Sequence, residues 1–311
     1  MFLAFKQKSV LLAVGIAFTT YGHVQAQTNN QDVAINFEAW VGDREFSCGE
    51  SYEGVGVNES TITPTDFRFY VSDVALIDEA GNAVPLELKQ DGKWQHQNVA
   101  LLDFEDGTSA CDNGTAEMNT VVVGTVPEGD YQSLQFTMGV PQNLNHSDAA
   151  IAPSPLNLTS MWWNWQGGYK FLRVDLETEA IANVTETSGG HSNQTGIFQH
   201  EQTTHPDAGS NAYLIHLGST GCSESAQSDL FGCANPNRVN VVLEDFSFEN
   251  NVVVADLAEL LAESDLTTNE ANTPNGCMSS PEDADCLPIM QSLNLSSGNV
   301  ADSEQNFFWV E

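Results

Sequence analysis

Apolar and polar residues alternate in short runs along most of the chain. In Tyr131–Val140, for example, Leu134, Phe136, Met138 and Val140 alternate with polar or small residues. Alternation with a period of two is typical of a strand that buries one face. Further β-rich runs, separated by turn residues, are Ile35–Val41, Phe67–Ile77, Asn98–Phe104, Thr120–Val126, Lys170–Leu176, Ala212–Leu217 and Arg238–Phe246. Their spacing predicts a mainly β fold, an antiparallel β-sandwich with long loops and few short helices.

One segment breaks this pattern. In Val254–Glu263 three leucines recur at helical spacing, which predicts a helix. Two polar stretches, Thr185–Ser210 and Thr267–Pro288, are predicted to be loops. The chain contains no internal repeat and no clear linker, so residues 27–311 are predicted to form a single domain.

The first 26 residues have the features of a secretory signal peptide. In Met1–Ala26 the basic residues Lys6 and Lys8 precede an apolar stretch, Val10–Thr20, that is too short to span a membrane. Small residues at the end of the segment make Gln27 the expected start of the mature chain. No later apolar run approaches the ~20 residues of a membrane helix. The sequence therefore predicts a periplasmic or secreted protein without a membrane span.

The charge of the chain excludes several classes of partner. Its 311 residues include 43 Asp and Glu but only 9 Lys and Arg, for a formal net charge of −34. Nucleic acids and anionic lipids are bound by clustered cations, which this composition does not provide. A strongly acidic surface favours solubility, attracts metal cations and complements a basic protein face.

The cysteines indicate an oxidising compartment. They are Cys48, Cys111, Cys222, Cys233, Cys277 and Cys286. An even number in an exported chain favours disulfides. The last four form two pairs of near neighbours, each of which would close a small loop, and Cys48–Cys111 then follows by elimination. Six cysteines allow fifteen pairings, so proximity favours this connectivity without excluding others.

Motifs of hydrolytic enzymes are weak in this chain. There is no G-x-S-x-G nucleophile elbow. His200-Glu201 and His205 resemble the zinc motif H-E-x-x-H, but one extra residue separates the histidines, so they would not share a helix face. A metal-dependent hydrolase that uses Glu201 stays a minor alternative, and we expect the protein not to be an enzyme.

Histidines outside that motif offer a better metal site. Trp94 and His96 are two residues apart, so in a strand they would lie on one face. His216 points away from its apolar neighbours by the same alternation. His146 follows a predicted strand, where loops often carry function. Imidazoles from separate segments suit copper, zinc or iron.

Three tryptophans lie close together in the sequence, at Trp162, Trp163 and Trp165. Buried aromatic anchors are the commonest use of such residues. A stacking platform for sugar is the functional alternative, so a secreted glycan-binding module without metal is the second hypothesis.

Several segments together resemble the MbnP-like family, also called metallo-mystery pair system four-Cys motif proteins. They cover nearly all of the predicted mature chain. These segments are Asp66–Val71, Val99–Glu105, Val126–Tyr131, Gly139–Asp148, Pro155–Tyr169, His216–Cys222, Pro236–Val239, Gly276–Cys286 and the final Phe307-Phe308-Trp309.

The resemblance implies an exported, monomeric, copper-binding β protein. Its expected partner is a dihaem enzyme related to bacterial cytochrome c peroxidases, which oxidises a Trp to kynurenine that then helps to bind copper. In a related copper protein the oxidised Trp lies two residues before a ligand His, which is the spacing of Trp94 and His96. By the same resemblance His146 and His216 are candidates for further ligation. The loop that contains His191, His200 and His205 is an additional feature of this chain, and a second site there stays open.

The chemistry of Trp oxidation explains why an oxidised Trp can serve as a metal ligand. The lone pair of an indole nitrogen belongs to the aromatic system, so Trp is a poor metal ligand. Opening the five-membered ring gives an aniline-type amine with an available lone pair. Together with imidazole nitrogens, this amine would form a low-coordinate nitrogen site suited to Cu(I).

Overall fold

The computed structural model describes residues 29–112, 114–179, 181–183, 211–224, 231–295 and 305–311. The predicted signal peptide and the predicted loop Thr185–Ser210 lie outside these residues. The strands are β1 (Asn30–Val41), β2 (Arg44–Glu45), β3 (Tyr52–Val55), β4 (Ser60–Asp78), β5 (Ala83–Pro85), β6 (Glu87–Leu88), β7 (Gln95–His96), β8 (Val99–Asp103), β9 (Val121–Pro127), β10 (Tyr131–Met138), β11 (Trp162–Asn164), β12 (Gly168–Tyr169), β13 (Leu172–Glu177), β14 (Ala182–Asn183), β15 (Ala212–Leu217), β16 (Thr220–Glu224), β17 (Phe231–Asn235), β18 (Val239–Leu243), β19 (Val252–Asp256), β20 (Thr268–Asn269), β21 (Gly276–Cys277) and β22 (Phe308–Val310). The helices are α1 (Gln142–Asn145), α2 (Leu257–Leu261) and α3 (Cys286–Ser292), with a 3₁₀ turn at Thr159–Met161.

Two large sheets face each other. The smaller sheet has the order β22–β19–β1–β9–β6, with β2 paired to β1. The larger sheet has the order β18–β10–β4–β13–β15–β21. In addition, β8 pairs with β4 on the edge opposite to β13, and β7 pairs with β8. The main hydrophobic core lies between the sheets, because alternate residues of β1 and β9 pack against alternate residues of β4, β13 and β15. The predicted β-sandwich is thereby confirmed.

Most predicted strands match observed ones, and Ala212–Leu217 coincides with β15. Pairing is antiparallel at most positions. Parallel pairing occurs where β19 joins β1, where β21 joins β15, and in the small β14–β20 sheet. Sequence alternation reports which face is buried but not the direction of the neighbouring strand, so it did not predict these pairs.

The predicted helix at Val254–Glu263 is only partly correct. Its first residues belong to β19, which pairs in parallel with β1, and the helix occupies only Leu257–Leu261. The β-branched run at the start of β19 suits the sheet, and the Asp256 side chain then caps the helix by accepting from the N–H of Ala258 at 2.8 Å. A second difference is α3, which begins near the end of the stretch predicted to be a loop.

Three disulfides join the six cysteines in the pairing that proximity favours. Cys48 pairs with Cys111, Cys222 with Cys233, and Cys277 with Cys286. The last bond ties β21 to the start of α3 inside the core. The middle bond joins directly opposite positions of the β16–β17 hairpin. No helix among the described residues is long and apolar enough to cross a membrane.

Candidate metal centre

The larger sheet has two buried faces with different chemistry. Along β4, Phe67 and Phe69 project into the main core, whereas Arg68 and Tyr70 project to the opposite face, which we call the outer face. Directly paired residues share a face of a sheet, so the register extends this assignment to the neighbouring strands. The outer face therefore carries His96, Val99, Leu101, Asp103, Arg173 and His216 as well.

A nine-residue apolar group, here called the outer cluster, covers part of this face. Its members are Tyr70, Val99, Leu101, Val140, Leu144, Leu156, Met161, Tyr169 and Phe171. Trp94 and Trp162 are partly buried and pack against it. Trp94 and Leu144, which lies two residues before His146, thus both belong to the packing of the outer face.

The segment before β7 is held by a single carboxylate. One oxygen of Asp91 accepts hydrogen bonds from the N–H groups of Lys93 (2.8 Å), Trp94 (2.8 Å) and Gln95 (3.0 Å). The carbonyl of Trp94 accepts from the N–H of Leu101 at 2.9 Å. These bonds fix the backbone on both sides of Trp94.

Gln95 connects this segment to the other sheet. Its side-chain amide donates to the carbonyls of Lys89 (2.7 Å) and Val123 (2.9 Å), and its carbonyl oxygen accepts from the N–H of Val123 at 2.8 Å. Because Gln95 points toward the smaller sheet, alternation turns Trp94 and His96 to the outer face, as their spacing predicts.

Trp94 and His96 are both half-buried. The ammonium of Lys93 lies 4.3 Å from the centroid of the Trp94 ring, a cation–π contact, and also forms an ion pair with Glu117. Nε2 of His96 lies 3.1 Å from the side-chain nitrogen of Gln97. One face of the indole is therefore next to a positive charge, and the imidazole of His96 lies at the partly exposed edge.

His146 follows α1, which its neighbour Asn145 anchors. The side-chain oxygen of the buried Asn145 accepts from the N–H of Tyr169 at 3.0 Å, and its nitrogen lies 3.4 Å from the hydroxyl of Ser219. Gly168 permits this approach, because a Cβ there would lie 2.6 Å from the Asn145 carbonyl. The position of His146 is therefore fixed by β12 and by the turn before β16.

The imidazole of His146 has a defined orientation. Nδ1 lies 3.1 Å from the carbonyl oxygen of Trp165, which can only accept, so Nδ1 carries the proton and Nε2 the lone pair. Burial lowers the pKa of His146, which favours this neutral form. Nε2 lies 3.5 Å from Sγ of Cys233. A histidine whose second nitrogen is held by a backbone carbonyl has the arrangement common among metal ligands.

Among the described residues, one group of three or more His, Cys, Asp or Glu side chains is close enough together to hold a metal ion. It consists of His146, Cys222 and Cys233, whose ligand atoms all lie within 4.8 Å of one another. The two sulfurs are joined as a disulfide in this structure. His96 and His216 belong to no such group of three or more His, Cys, Asp or Glu residues within the described part of the chain.

His216 lies far from His96 on the same face. The path β7–β8–β4–β13–β15 separates them by four strand steps, roughly 19 Å at about 4.8 Å for each step. Two nitrogen ligands of one ion lie within about 4 Å of each other. The structure therefore does not bring these two histidines to one ion, and the prediction that His216 binds metal would require a second one.

His216 instead belongs to a buried polar network. Its Nε2 lies 2.7 Å from Asp175, and Arg173 pairs with both Asp175 and Asp66. Burial lowers the pKa of His216, although Asp175 opposes this shift.

Arg68 lies at the centre of the same network. It pairs with Asp66 and lies 3.6 Å from Glu105. Burial, and then the charge of Glu105, raise the pKa of Asp103 to about 8. These contacts compensate buried charges in the outer face.

The three clustered tryptophans do not form a flat exposed platform. Trp162 packs against the outer cluster, and the ring of Trp163 lies so close to Gly218 that a Cβ there would be 2.5 Å away. Trp165 is exposed, and its carbonyl is the one that orients His146. The segment acts mainly as an anchor of the site. His191, His200, Glu201 and His205 lie outside the described residues.

Sequence reasoning missed the residues that position the candidate ligands. Gln95 and Asn145 act through the backbone N–H groups of Val123 and Tyr169, which are 28 and 24 positions away, so they left no recognisable spacing. Asp91 acts locally, on the backbone of the next few residues. An Asp three residues before Trp94 is a weak signal of a side-chain-stabilised turn. No sequence pattern indicates that His146 lies close to Cys233, because 87 positions separate the two residues.

Comparisons with known proteins agree with the fold. A sequence model of the MbnP family matches residues 30–279. Among solved structures, the chain is similar to MbnP from Methylosinus trichosporium with a TM-score of 0.74 and 29% sequence identity, and the match covers 91% of this chain and 98% of that one. Comparison with curated proteins finds no significant match.

Proposed function

Because the chain belongs to the MbnP family, we propose that it is an exported copper-binding protein whose site is completed when Trp94 is oxidised to kynurenine. Family membership suggests a role in the copper-related MbnP system. In this proposal the chain is the substrate of a dihaem peroxidase-like enzyme and has no catalytic activity itself. Copper acquisition or homeostasis is its expected role.

One arrangement carries the proposal: Trp94, directly before β7, and His96 in β7 are both turned to the outer face. The outer cluster beside them also includes Leu144, close to His146 in the sequence. The unmodified indole offers no lone pair to a metal, so His96 alone cannot hold copper at this position. A kynurenine amine at Trp94 would add a nitrogen next to the His96 imidazole. Cu(I) accepts low coordination by nitrogen, so this donor pair suits it, and His146 is the candidate third ligand.

The oxidation requires a partner and an oxidant. Two molecules of hydrogen peroxide remove four electrons from the indole, its C2–C3 bond breaks, and each of these carbons gains an oxygen atom while two water molecules form. Hydrolysis then releases formate and leaves the arylamine. A dihaem enzyme supplies this redox chemistry, which protein side chains alone do not. The acidic surface of the chain suits a partner with a basic docking face.

The local environment of Trp94 supports selective modification. The ring is half-buried beside Lys93, whereas its backbone is fixed by Asp91. A chain that is fixed before it meets an enzyme loses little entropy on docking. Trp40, by contrast, lies on the smaller sheet. Its ring makes an edge-to-face contact with the ring of Trp309, and the two centroids are 6.0 Å apart.

Peptide mass mapping combined with copper titration tests the proposal. Protein coexpressed with its dihaem partner should carry kynurenine at Trp94, and Trp94→Phe should lose both the modification and tight copper binding. His96→Ala should keep the modification but bind copper at least about tenfold more weakly. Trp40→Phe is the matched control and should behave as the parent.

Two results would count against this assignment. Kynurenine at another tryptophan would move the site away from Trp94. Unmodified tryptophans in cells that express the active partner, together with unchanged copper affinity in His96→Ala, would remove both residues from the site. Carbohydrate binding that survives chelation would then favour the glycan-binding alternative.

A further inference from the structure

The Cys222–Cys233 hairpin and His146 form a second constellation, separate from Trp94 and His96. The N···S distance between His146 Nε2 and Cys233 Sγ is 3.5 Å, a separation that two ligands of one ion can also have. With bonds of about 2.0 Å to nitrogen and about 2.3 Å to sulfur, two ligands of one ion lie roughly 3.5–3.8 Å apart. Because Trp165 holds Nδ1, the lone pair is on Nε2, which lies beside the sulfur of Cys233 and 3.4 Å from the side-chain nitrogen of Asn145. All three ligand atoms lie within 4.8 Å of one another.

This disulfide is also more accessible than the other two. Both Cys222 and Cys233 are half-buried. By contrast, Cys111, Cys277 and Cys286 are at most 1% exposed, so each of the other bonds has at least one sulfur shielded by the core. Thiol–disulfide exchange requires access of a thiolate to a sulfur atom. A dithiol reductant should therefore reach Cys222–Cys233 first.

The consequences of reduction also differ between the three bonds. Cys222 and Cys233 already face each other in the β16–β17 ladder. Thr220 pairs with Asn235 on one side of the disulfide, and Glu224 pairs with Phe231 on the other side. This backbone pairing keeps the two strands together. After reduction the sulfurs can move apart by side-chain rotation and stay next to His146.

We propose that Cys222–Cys233 is a reducible disulfide, and that its dithiol form binds one Cu(I) ion together with His146. Two thiolates and one imidazole form a soft three-ligand set, which suits a d¹⁰ ion such as Cu(I). The site binds copper only when the disulfide is open, because a disulfide sulfur carries no thiolate charge. It shares His146 with the candidate ligands of the Trp94 site but needs no kynurenine, so it can be tested on protein in which Trp94 is unmodified.

A protein with two neighbouring thiols can reduce the Cys222–Cys233 disulfide. One of its thiolates attacks Cys222 or Cys233, the S–S bond breaks, and a mixed disulfide forms. Its second thiol then releases the chain, so that two electrons and two protons pass to the cysteines and the reductant becomes a disulfide. Binding of Cu(I) displaces the two thiol protons, and a protein disulfide of higher reduction potential reverses the cycle.

The first experiment maps reduction by differential alkylation. The mature chain is produced without the dihaem enzyme, so that Trp94 stays unmodified, and is treated with a graded series of a small dithiol before rapid alkylation and peptide mapping. Cys222 and Cys233 should be labelled at reductant concentrations at which Cys277 and Cys286 are not. Labelling of the buried cysteines first, or of all six together, would overturn the proposal.

The second experiment measures Cu(I) binding by competition with a chromophoric chelator, after removal of the dithiol. The reduced chain should bind one Cu(I), and the oxidised chain should compete at least about tenfold less well. X-ray absorption of the complex should report sulfur and nitrogen neighbours. Equal binding by oxidised and reduced protein would contradict the proposal, as would tighter binding of Zn(II) than of Cu(I).

Variants separate this site from that of Trp94. Cys222→Ser with Cys233→Ser should abolish the reduction-dependent binding, and His146→Ala should weaken it at least about tenfold while leaving the disulfide able to form. His96→Ala is the matched control and should leave it unchanged. Reduction-dependent binding that survives the double serine variant, or that His96→Ala removes, would show that the copper is held elsewhere.

Discussion

The two faces of β4 are equally buried but are stabilised in different ways. Phe67 and Phe69 on the inner face pack against other aromatic rings, with Phe69 and Phe308 centred 5.4 Å apart at nearly right angles. Arg68 and Tyr70 on the outer face are at most 1% exposed but make directional contacts to carboxylates and a carbonyl. Apolar packing tolerates some rearrangement, whereas a buried charge or hydroxyl requires its specific partner. The outer face, which carries His96 and His216, is therefore the more specific of the two.

The largest expected effect is on the inner face. Phe69→Ala should lower the free energy of unfolding by about 4 kcal/mol, since it leaves a cavity among tightly packed rings. Tyr70→Phe on the outer face should cost only about 1 kcal/mol, the hydrogen bond from its hydroxyl to the carbonyl of Pro155. Chemical denaturation measures both values. Equal losses in the two variants would remove the distinction between the faces.

Removal of the Arg68 charge should show how the outer face is stabilised. Arg68→Ala should cost about 3 kcal/mol, because Asp66 and Glu105 lose their buried partner. The loss should shrink in acid, where the carboxylates can take up protons. Arg44→Ala is the control, since its pair with Glu50 is exposed and should contribute less than about 1 kcal/mol. A loss of stability that does not change with pH would indicate that Arg68 acts by packing alone.

A third effect, smaller than those of Phe69→Ala and Arg68→Ala, concerns Asp103 and depends on pH. Its folded-state pKa of about 8 lies above the usual value for Asp, so between about pH 4 and pH 8 the folded chain holds a proton that the unfolded chain releases. This carboxyl group therefore makes the folded state less stable as the pH rises through that range. In Asp103→Asn this contribution is absent, so the variant should gain stability relative to the parent by at most about 1.4 kcal/mol for each pH unit, and by about 2 kcal/mol between pH 5 and pH 7. Parallel stability curves for the two proteins would contradict the raised pKa.

The sequence predicts the sandwich because its strands bury one face and therefore alternate. Ala212–Leu217 illustrates this, since its apolar positions enter the main core and His216 does not. The last three residues of β19 were misassigned to a helix because a fully buried strand has no alternation to distinguish it from a helix.

The candidate site was only partly predictable for a different reason. The spacing of Trp94 and His96 predicts their shared face, because that property is local. The contact of His146 with Cys233 depends on how β10, β12 and the β16–β17 hairpin meet, and long-range packing of this kind is not encoded in spacing.

The Gln95 side chain gives the molecule a mechanical property. It joins β7 of the larger sheet to β9 of the smaller one by two hydrogen bonds with Val123. Any sliding of one sheet over the other would have to break this clamp or carry the Trp94–His96 segment with it. The two side chains are thus held in place by the whole sandwich before any ion arrives, and an ion that binds between them has little ordering entropy to overcome.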